Sequence, residues 1–455
     1  MDEGRSTRRR AAALVAGLAG LAACTTYKPE PLPTAPATAA RASDLKVDVS
    51  QLRLAPLQSF AIDPKAGFSP LAVAVLAVLN NPDLTAKRVA LGVPAAQVFA
   101  AGLLPDPQIS FGSDQPIAGP DTHTAISISP SIDIAGLLAR ASNERAARFT
   151  ARQANLDLLW AEWTTAQQAR LLAETALADE ARAAFLADIL RVAADRADRT
   201  TRALSRGDVT AQTAAADLAA KTDAATALAA ARHDAGKARR DLAVLLGLDP
   251  SVTLPLVEGP EPPGLGEAAV AADLASLPTR RPDLLALQAG YAAQDAALRK
   301  AIIAQFPLAS IAFAYARDPT PTTTLGLSAV TALPIINAAR GEAHIQEATR
   351  EQLRAEYQAR LDQAAADARS AAAEVASARA QAAALRADLP RLEAMLAPAP
   401  AAFARGDIDS QTYLALVQTV IARRADLADR ELTARLAEIQ LETALFAPPS
   451  PEPAS

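Results

Sequence analysis

SRGDVTAQT (residues 205–213) and ARGDIDSQT (residues 404–412) are one phrase written twice. Arg206, Gly207 and Asp208 match Arg405, Gly406 and Asp407 at an offset of 199 residues, and Gln-Thr follows at the same distance in each copy. The surroundings recur too. NNPDLTAKRVA from Asn80 pairs with RRPDLLALQAG from Arg280, and each runs as a helical pattern to a stop, Leu104-Pro105 or Phe306-Pro307. Two short alternating segments follow each stop, then a long helical stretch, the RGD phrase and a second helical stretch. Self-similarity at a fixed offset predicts a tandem-duplicated protomer.

The alternation predicts strands. Ile109 and Phe111 alternate with Gln108, Ser110 and Gly112, and Ile126, Ile128, Ile132 and Ile134 alternate with Ser127, Ser129, Ser131 and Asp133. In the second copy Ile311, Phe313 and Tyr315 alternate with Ala and Ser, and Leu325 and Leu327 with Gly326 and Ser328. A period of two marks one apolar face and one small, polar face. Such faces suit a membrane barrel with a wet lumen, or a sheet packed on helices in a soluble domain.

The helical stretches are long. From Leu137 to about Ala203 there is neither proline nor glycine. Val375, Ala378, Ala382, Leu385 and Leu389 step by three and four, the spacing of a coiled coil. The interspersed Arg145, Arg148, Arg152, Asp157 and Glu162 read as a solvated surface. Gly207 and Gly406 suit a left-handed helix end, and Thr210 and Asp409 can cap the next helix. Each RGD is therefore expected at the tip of a helical hairpin. A turn alone requires the glycine and the cap; matched Arg, Asp, Gln and Thr at an exposed tip point to a docking surface.

Alanine dominates a chain of 455 residues that is 51% hydrophobic but 4% aromatic, which favours closely packed helices. The net charge of -5 argues against a nucleic-acid partner. Arg5–Arg10, the apolar run from Ala11 to Ala22 and Leu-Ala-Ala before Cys24 read as a signal peptide. Cys24, the only cysteine, is the expected lipidation site, in the manner of a bacterial lipobox. The predicted organisation is a signal peptide over 1–23, an acylated N-terminus and extended tether over 24–69, and a first repeat over 70–250. A linker over 251–269, a second repeat over 270–446 and a disordered tail over 447–455 complete it. No stretch is apolar and long enough for a spanning helix, so any crossing must be made by strands.

In the order of these features, twice over, the sequence resembles the outer-membrane factor family, the TolC-like exit ducts of bacterial tripartite efflux and type I secretion systems. The resemblance rests on the NPDL and RPDL openings, the LLP and FP stops before strand pairs, TALPIINAARGEA before the second long helix, and the paired glycine tips. It implies a mainly α fold with a small β part, in which long antiparallel coiled-coil helices continue four transmembrane strands per chain. Three chains would complete a twelve-stranded barrel in the outer membrane, with a helical tunnel in the periplasm. It implies as partners a periplasmic adaptor protein, an inner-membrane pump and outer-membrane lipid. Arg206, Gly207, Asp208, Arg405, Gly406 and Asp407 fall on the tips that would meet the adaptor. Where some members narrow the entrance with acidic residues this chain has Thr412 and Ala415, leaving Asp407 and Asp409 as candidates for a constriction. Pro390, Pro398 and Pro400 precede the second tip alone, so that hairpin is expected to bend or begin late.

Oligomerisation also follows from physics, because an open sheet edge in lipid leaves backbone groups unpaired. Enzyme signatures are lacking. His123, His233 and His344 are not at ligand spacing, and no phosphate loop, H-E-x-x-H or G-x-S-x-G occurs. No cofactor or metal is expected beyond covalent lipid on Cys24. Two other readings are a periplasmic adaptor, which predicts one hairpin flanked by β-rich domains, and a structural coiled-coil lipoprotein without a pore.

Overall fold

The structure, a computed structural model, describes residues 27–54, 57–58, 67–115, 117–118, 124–259, 264–306, 309–318, 322–331 and 340–447. Cys24, the signal segment, His123, Pro307, most of TALPIINAARGEA and the tail beyond Ala447 lie outside them. Residues 27–38 belong to a separate unit and are exposed, without helix or strand.

From Ala39 onward the chain is mainly helical with one small antiparallel sheet. Helix α1 (Pro70–Asn80) opens with the Ser69 hydroxyl accepting the Ala72 amide and Pro70 in the first turn. PLAVAVLAVLN is apolar all round, and such a helix must be enclosed on every side. Val73 to Val78 are fully buried. Helices α2 (Pro82–Ala90) and α3 (Gly92–Gly102) lead to strands β1 (Gln108–Asp114) and β2 (Ala125–Asp133). Helix α4 (Ile134–Arg206) has 73 residues, about 110 Å at 1.5 Å per residue, and returns as α5 (Ala211–Leu245).

The same order then recurs. Helices α6 (Glu267–Arg280) and α7 (Pro282–Ile303) precede β3 (Ala309–Arg317) and β4 (Thr323–Thr331). Helices α8 (Arg340–Leu396), α9 (Ala399–Arg405) and α10 (Ser410–Leu445) complete it. Helix α4 packs on α5, α7 and α10, and α8 on α10 and α7. The seams are made of alanine. On α5 the buried positions Ala224, Leu228, Ala231, Ala235, Ala238 and Leu242 step by four and three alternately. On α8 Ala364, Ala368, Ala371, Ala378 and Ala382 do the same, with half-buried Val375 filling the gap. This is a heptad seam, and methyl side chains let the helix axes approach closely.

The larger side chains collect near the middle of α4. Ala169 and Ala173 meet α1 and the end of α5 (Leu242, Leu246), while Leu158 and Trp163 meet Leu84. A third cluster joins Leu277 and Leu284 to Leu441 and Leu445. Full burial of each leucine contributes about 1.5–3 kcal/mol.

The matched Pro-Asp-Leu motifs lock these clusters. Asn81 caps α2 by accepting the Leu84 amide at 2.9 Å, and its amide donates to the Leu245 carbonyl at 2.8 Å, at the end of α5. In the second copy Arg281 reaches the equivalent carbonyl, Ala444 at the end of α10, at 2.8 Å. Asp283 takes over the cap, accepting the Leu284 amide at 3.0 Å and pairing with Arg281 and Arg360. The Arg281 guanidinium lies 4.5 Å above the Trp160 ring. Two different residues thus tie a helix start to the end of its returning helix.

Two expectations need correction. The segment expected as a tether over 24–69 is not free of the folded part: Leu45, Leu52, Leu54 and Leu57 are buried in the core, and Ala39 bridges to Leu248. Four leucines gain more by burial than a solvated tether offers. Glu162 is not on a solvated surface. It is 1% exposed and accepts from Arg88 at 2.8 and 3.0 Å, since a carboxylate held there requires a paired cation.

Candidate functional site

The four strands form one sheet in the order β1-β2-β3-β4, every pair antiparallel. The central β2–β3 pair joins segments far apart in sequence, with Ile128 opposite Tyr315 and Ile132 opposite Ile311. The register sorts the two faces into continuous rows. Phe111, Ile128, Tyr315 and Leu325 line up across all four strands, and Gln108, Ser131, Ala312 and Ser328 form a row on the opposite face. Pairing between β2 and β3 lapses at Ser129 and Pro130. Proline has no N–H to donate to that ladder.

Among the described residues much of this apolar face is left uncovered. Phe111 is 76% exposed, Leu325 80% and Leu327 70%. Both outer strands, β1 and β4, have one unpaired edge. An exposed apolar face this continuous marks an interaction surface for a membrane or another protein, and an open edge is a template for pairing with a further strand. No described helix is long and apolar enough to cross a membrane.

At the other end of α4 lies the first RGD. Gly207 has φ 81°, ψ 9°, and Gly406 has φ 82°, ψ 9°. Added Cβ atoms would meet nothing within 4 Å at either site, so glycine is required by the left-handed backbone rather than by space. The chain reversal is the same in both: the Asp208 amide donates to the Ala203 carbonyl and the Asp407 amide to the Ala402 carbonyl, each at 2.9 Å. Arg206 Nε donates to Asp208 Oδ2 and Arg405 Nε to Asp407 Oδ2, both at 2.8 Å. Thr210 and Asp409 cap the next helices by accepting the Thr213 amide at 3.2 Å and the Thr412 amide at 2.7 Å. The matched Arg and Asp therefore have a local partner. With the arginines 64% and 65% exposed, that pairing contributes well under about 1 kcal/mol and leaves both groups facing water.

The tips differ in their support. Helix α4 reaches Gly207 unbroken, whereas α8 stops at Leu396 and α9 starts after Pro398. Pro390 is accommodated inside α8, and the helix is interrupted at Ala397 and Pro398 instead. Phe403 and Tyr413 stack across the second tip, centroids 5.2 Å apart and 7° from parallel. Leu204 and Ala214 hold the corresponding places in the first.

Charges inside the helical part are spent on one another. Arg170 and Glu442, both buried, pair across α4 and α10, and Arg196 pairs with buried Asp217 at 2.7 Å. A cavity of about 190 Å³ between α4 and α10 is walled by Arg170, Glu442, Glu174 and Arg435, which pair among themselves. Burial, then Asp283, raises the carboxyl of Asp157 above the usual range, against an opposing effect of Lys87. Among the described residues no three His, Cys, Asp or Glu side chains come together in a way that could hold a metal.

No protein-family model and no curated protein sequence matches the chain. Solved structures do. The outer-membrane channel OprN superposes with a TM-score of 0.70 at 15% identity, over 94% of this chain and 100% of that one. The CmeC outer membrane channel of Campylobacter jejuni gives 0.67 at 14%, over 95% and 96%. CusC, whose structures concern transmembrane channel formation, gives 0.67 at 18%, over 86% and 96%. The chain has the outer-membrane-channel fold. Its sheet occupies the place in the sequence order that the alternating segments predict, and its long helices that of the coiled coil.

Proposed function

We propose that this chain is an outer-membrane factor: a tandem-duplicated, lipid-anchored protomer of a passive exit duct in a tripartite efflux or type I secretion system. Three copies would pair strand edges into one barrel whose apolar face meets lipid and whose small, polar face lines a wet lumen. The observation that carries this reading is the exposed row Phe111–Ile128–Tyr315–Leu325 on a sheet with two open edges. Four strands do not enclose a lumen by themselves, and lipid tolerates no unpaired edge. Identical neighbours are the economical source of the missing strands.

The long hairpins would continue the barrel as a periplasmic tunnel, with the two RGD tips as docking points for a periplasmic adaptor. Arg206, Gly207, Asp208, Arg405, Gly406 and Asp407 are the residues assigned to docking, and Asp407 and Asp409 to a possible constriction. Cys24 is assigned to lipidation. Energy and cargo choice belong to an inner-membrane pump, and this chain is given no catalytic role. The adaptor alternative requires one hairpin, and α4–α5 and α8–α10 supply two.

Replacing Arg206 and Arg405 together by glutamate tests the docking assignment. Export of the system's cargo should fall sharply while trimers assemble at the parent level. Full export in the double variant would reduce the tips to plain turns.

A further inference from the structure

The polar face of the sheet carries little charge. Between the ends of the four strands this face presents serine, alanine, glycine, threonine, one glutamine and one valine. Its only ionisable side chains are Asp114, at the hairpin end, and Asp133, where β2 passes into α4. Arg317 falls on the opposite face, in register with Ile126 and Thr323. Asp133 is exposed, and its row neighbours Ser310 and Val330 are uncharged. Its carboxylate makes no capping bond to α4. It instead folds over the first turn, where a Cβ on Gly136 would stand 2.5 Å from Oδ2. The next cation down α4, Arg140, donates through Nε to the Gly102 carbonyl at 2.7 Å.

We propose that Asp133, once per protomer, is a charge-selecting residue that makes the inner mouth of the barrel favour cationic over anionic solutes. This rests on the duct reading, which turns the polar face to the lumen. Three carboxylates around one opening, with no cation on the same face, add their fields. At about 10 Å separation in water and 0.1 M salt, their combined effect should bias a monovalent cation over a monovalent anion about fivefold.

The test places a reporter thiol on the same face by Ser131→Cys, one residue pair from Asp133. Reaction rates with singly positive and singly negative methanethiosulfonates are measured on the purified trimer, normalised to free cysteine. The parent chain, whose only cysteine is Cys24, gives the background. The positive reagent should be preferred, the preference should fall about fivefold with Asp133→Asn or Asp133→Ser, and it should invert with Asp133→Lys. Asp133→Glu should retain it. These variants remove no capping bond, so assembly is expected to survive. Equal rate ratios in all the variants would overturn the role of Asp133 and leave the duct reading standing. A reporter thiol inert to both reagents in the trimer would instead refute the wet lumen, and the inference with it.

Discussion

Leu327 and Ser328 are adjacent in β4, yet they face opposite sides of the sheet. Leu327 is the central residue of Thr323–Thr331 and pairs with Phe313, while Ser328 pairs with Ala312. If the apolar face meets lipid, Leu327→Arg puts a guanidinium near the middle of the hydrocarbon layer, at a cost of about 2–4 kcal/mol per copy. Across a trimer that is roughly 6–12 kcal/mol, comparable to the whole stability of many domains. Ser328→Arg, one residue on, should cost little beyond the change in side chain because it projects into water. The assay is the yield of heat-modifiable trimers after refolding into lipid vesicles, with the urea midpoint of each. Leu327→Arg should lose most of its trimer and Ser328→Arg should keep it. Equal damage from the two, or none from either, would refute the assignment of faces.

Three further outcomes are expected. Arg281→Ala leaves Asp283 buried with Arg360 alone and frees the Ala444 carbonyl, so it should destabilise by about 3–5 kcal/mol, whereas Asn81→Ala should cost about 1–2 kcal/mol. Chemical denaturation midpoints would rank them. Gly207→Ala and Gly406→Ala should each cost about 1 kcal/mol through backbone strain alone, read as faster hydrogen exchange at the tips without a change in trimer yield. Asp157 has a folded-state pKa raised chiefly by burial, so its contribution is favourable below the unfolded pKa of 3.8 and is lost as pH rises through the folded value. Asp157→Asn should therefore stabilise at pH 7, and the gain should vanish below pH 3.8, as melting curves across that range would record.

What could be read in the chain depended on the range of the interaction. The alternation of Ile126 and Ile128 with Ser127 and Ser129 is local, and it placed both faces of β2 as far as Ile132, whereas Ile134, expected on the same face, begins α4. Gly207 with Thr210, and Gly406 with Asp409, announced the tips because helix ends are set by a few neighbouring residues. Long-range pairing was illegible. Glu162 resembles any surface acid until Arg88, 74 residues away, is brought against it. Leu45, Leu52, Leu54 and Leu57 have no period in a proline-rich segment, so nothing local marked them as core. Arg281 stands where Asn81 stands, but the shared role emerged only from the two carbonyls they reach. At the tips, the local Arg–Asp pairs explain half of a match that from sequence alone pointed outward.

The most direct test is the mass of the purified, full-length protein in detergent, measured together with its secondary structure before and after boiling. Three chains per particle are predicted, with β structure that resists the detergent until heated. A single chain per particle whose strands are accessible to protease would contradict the account.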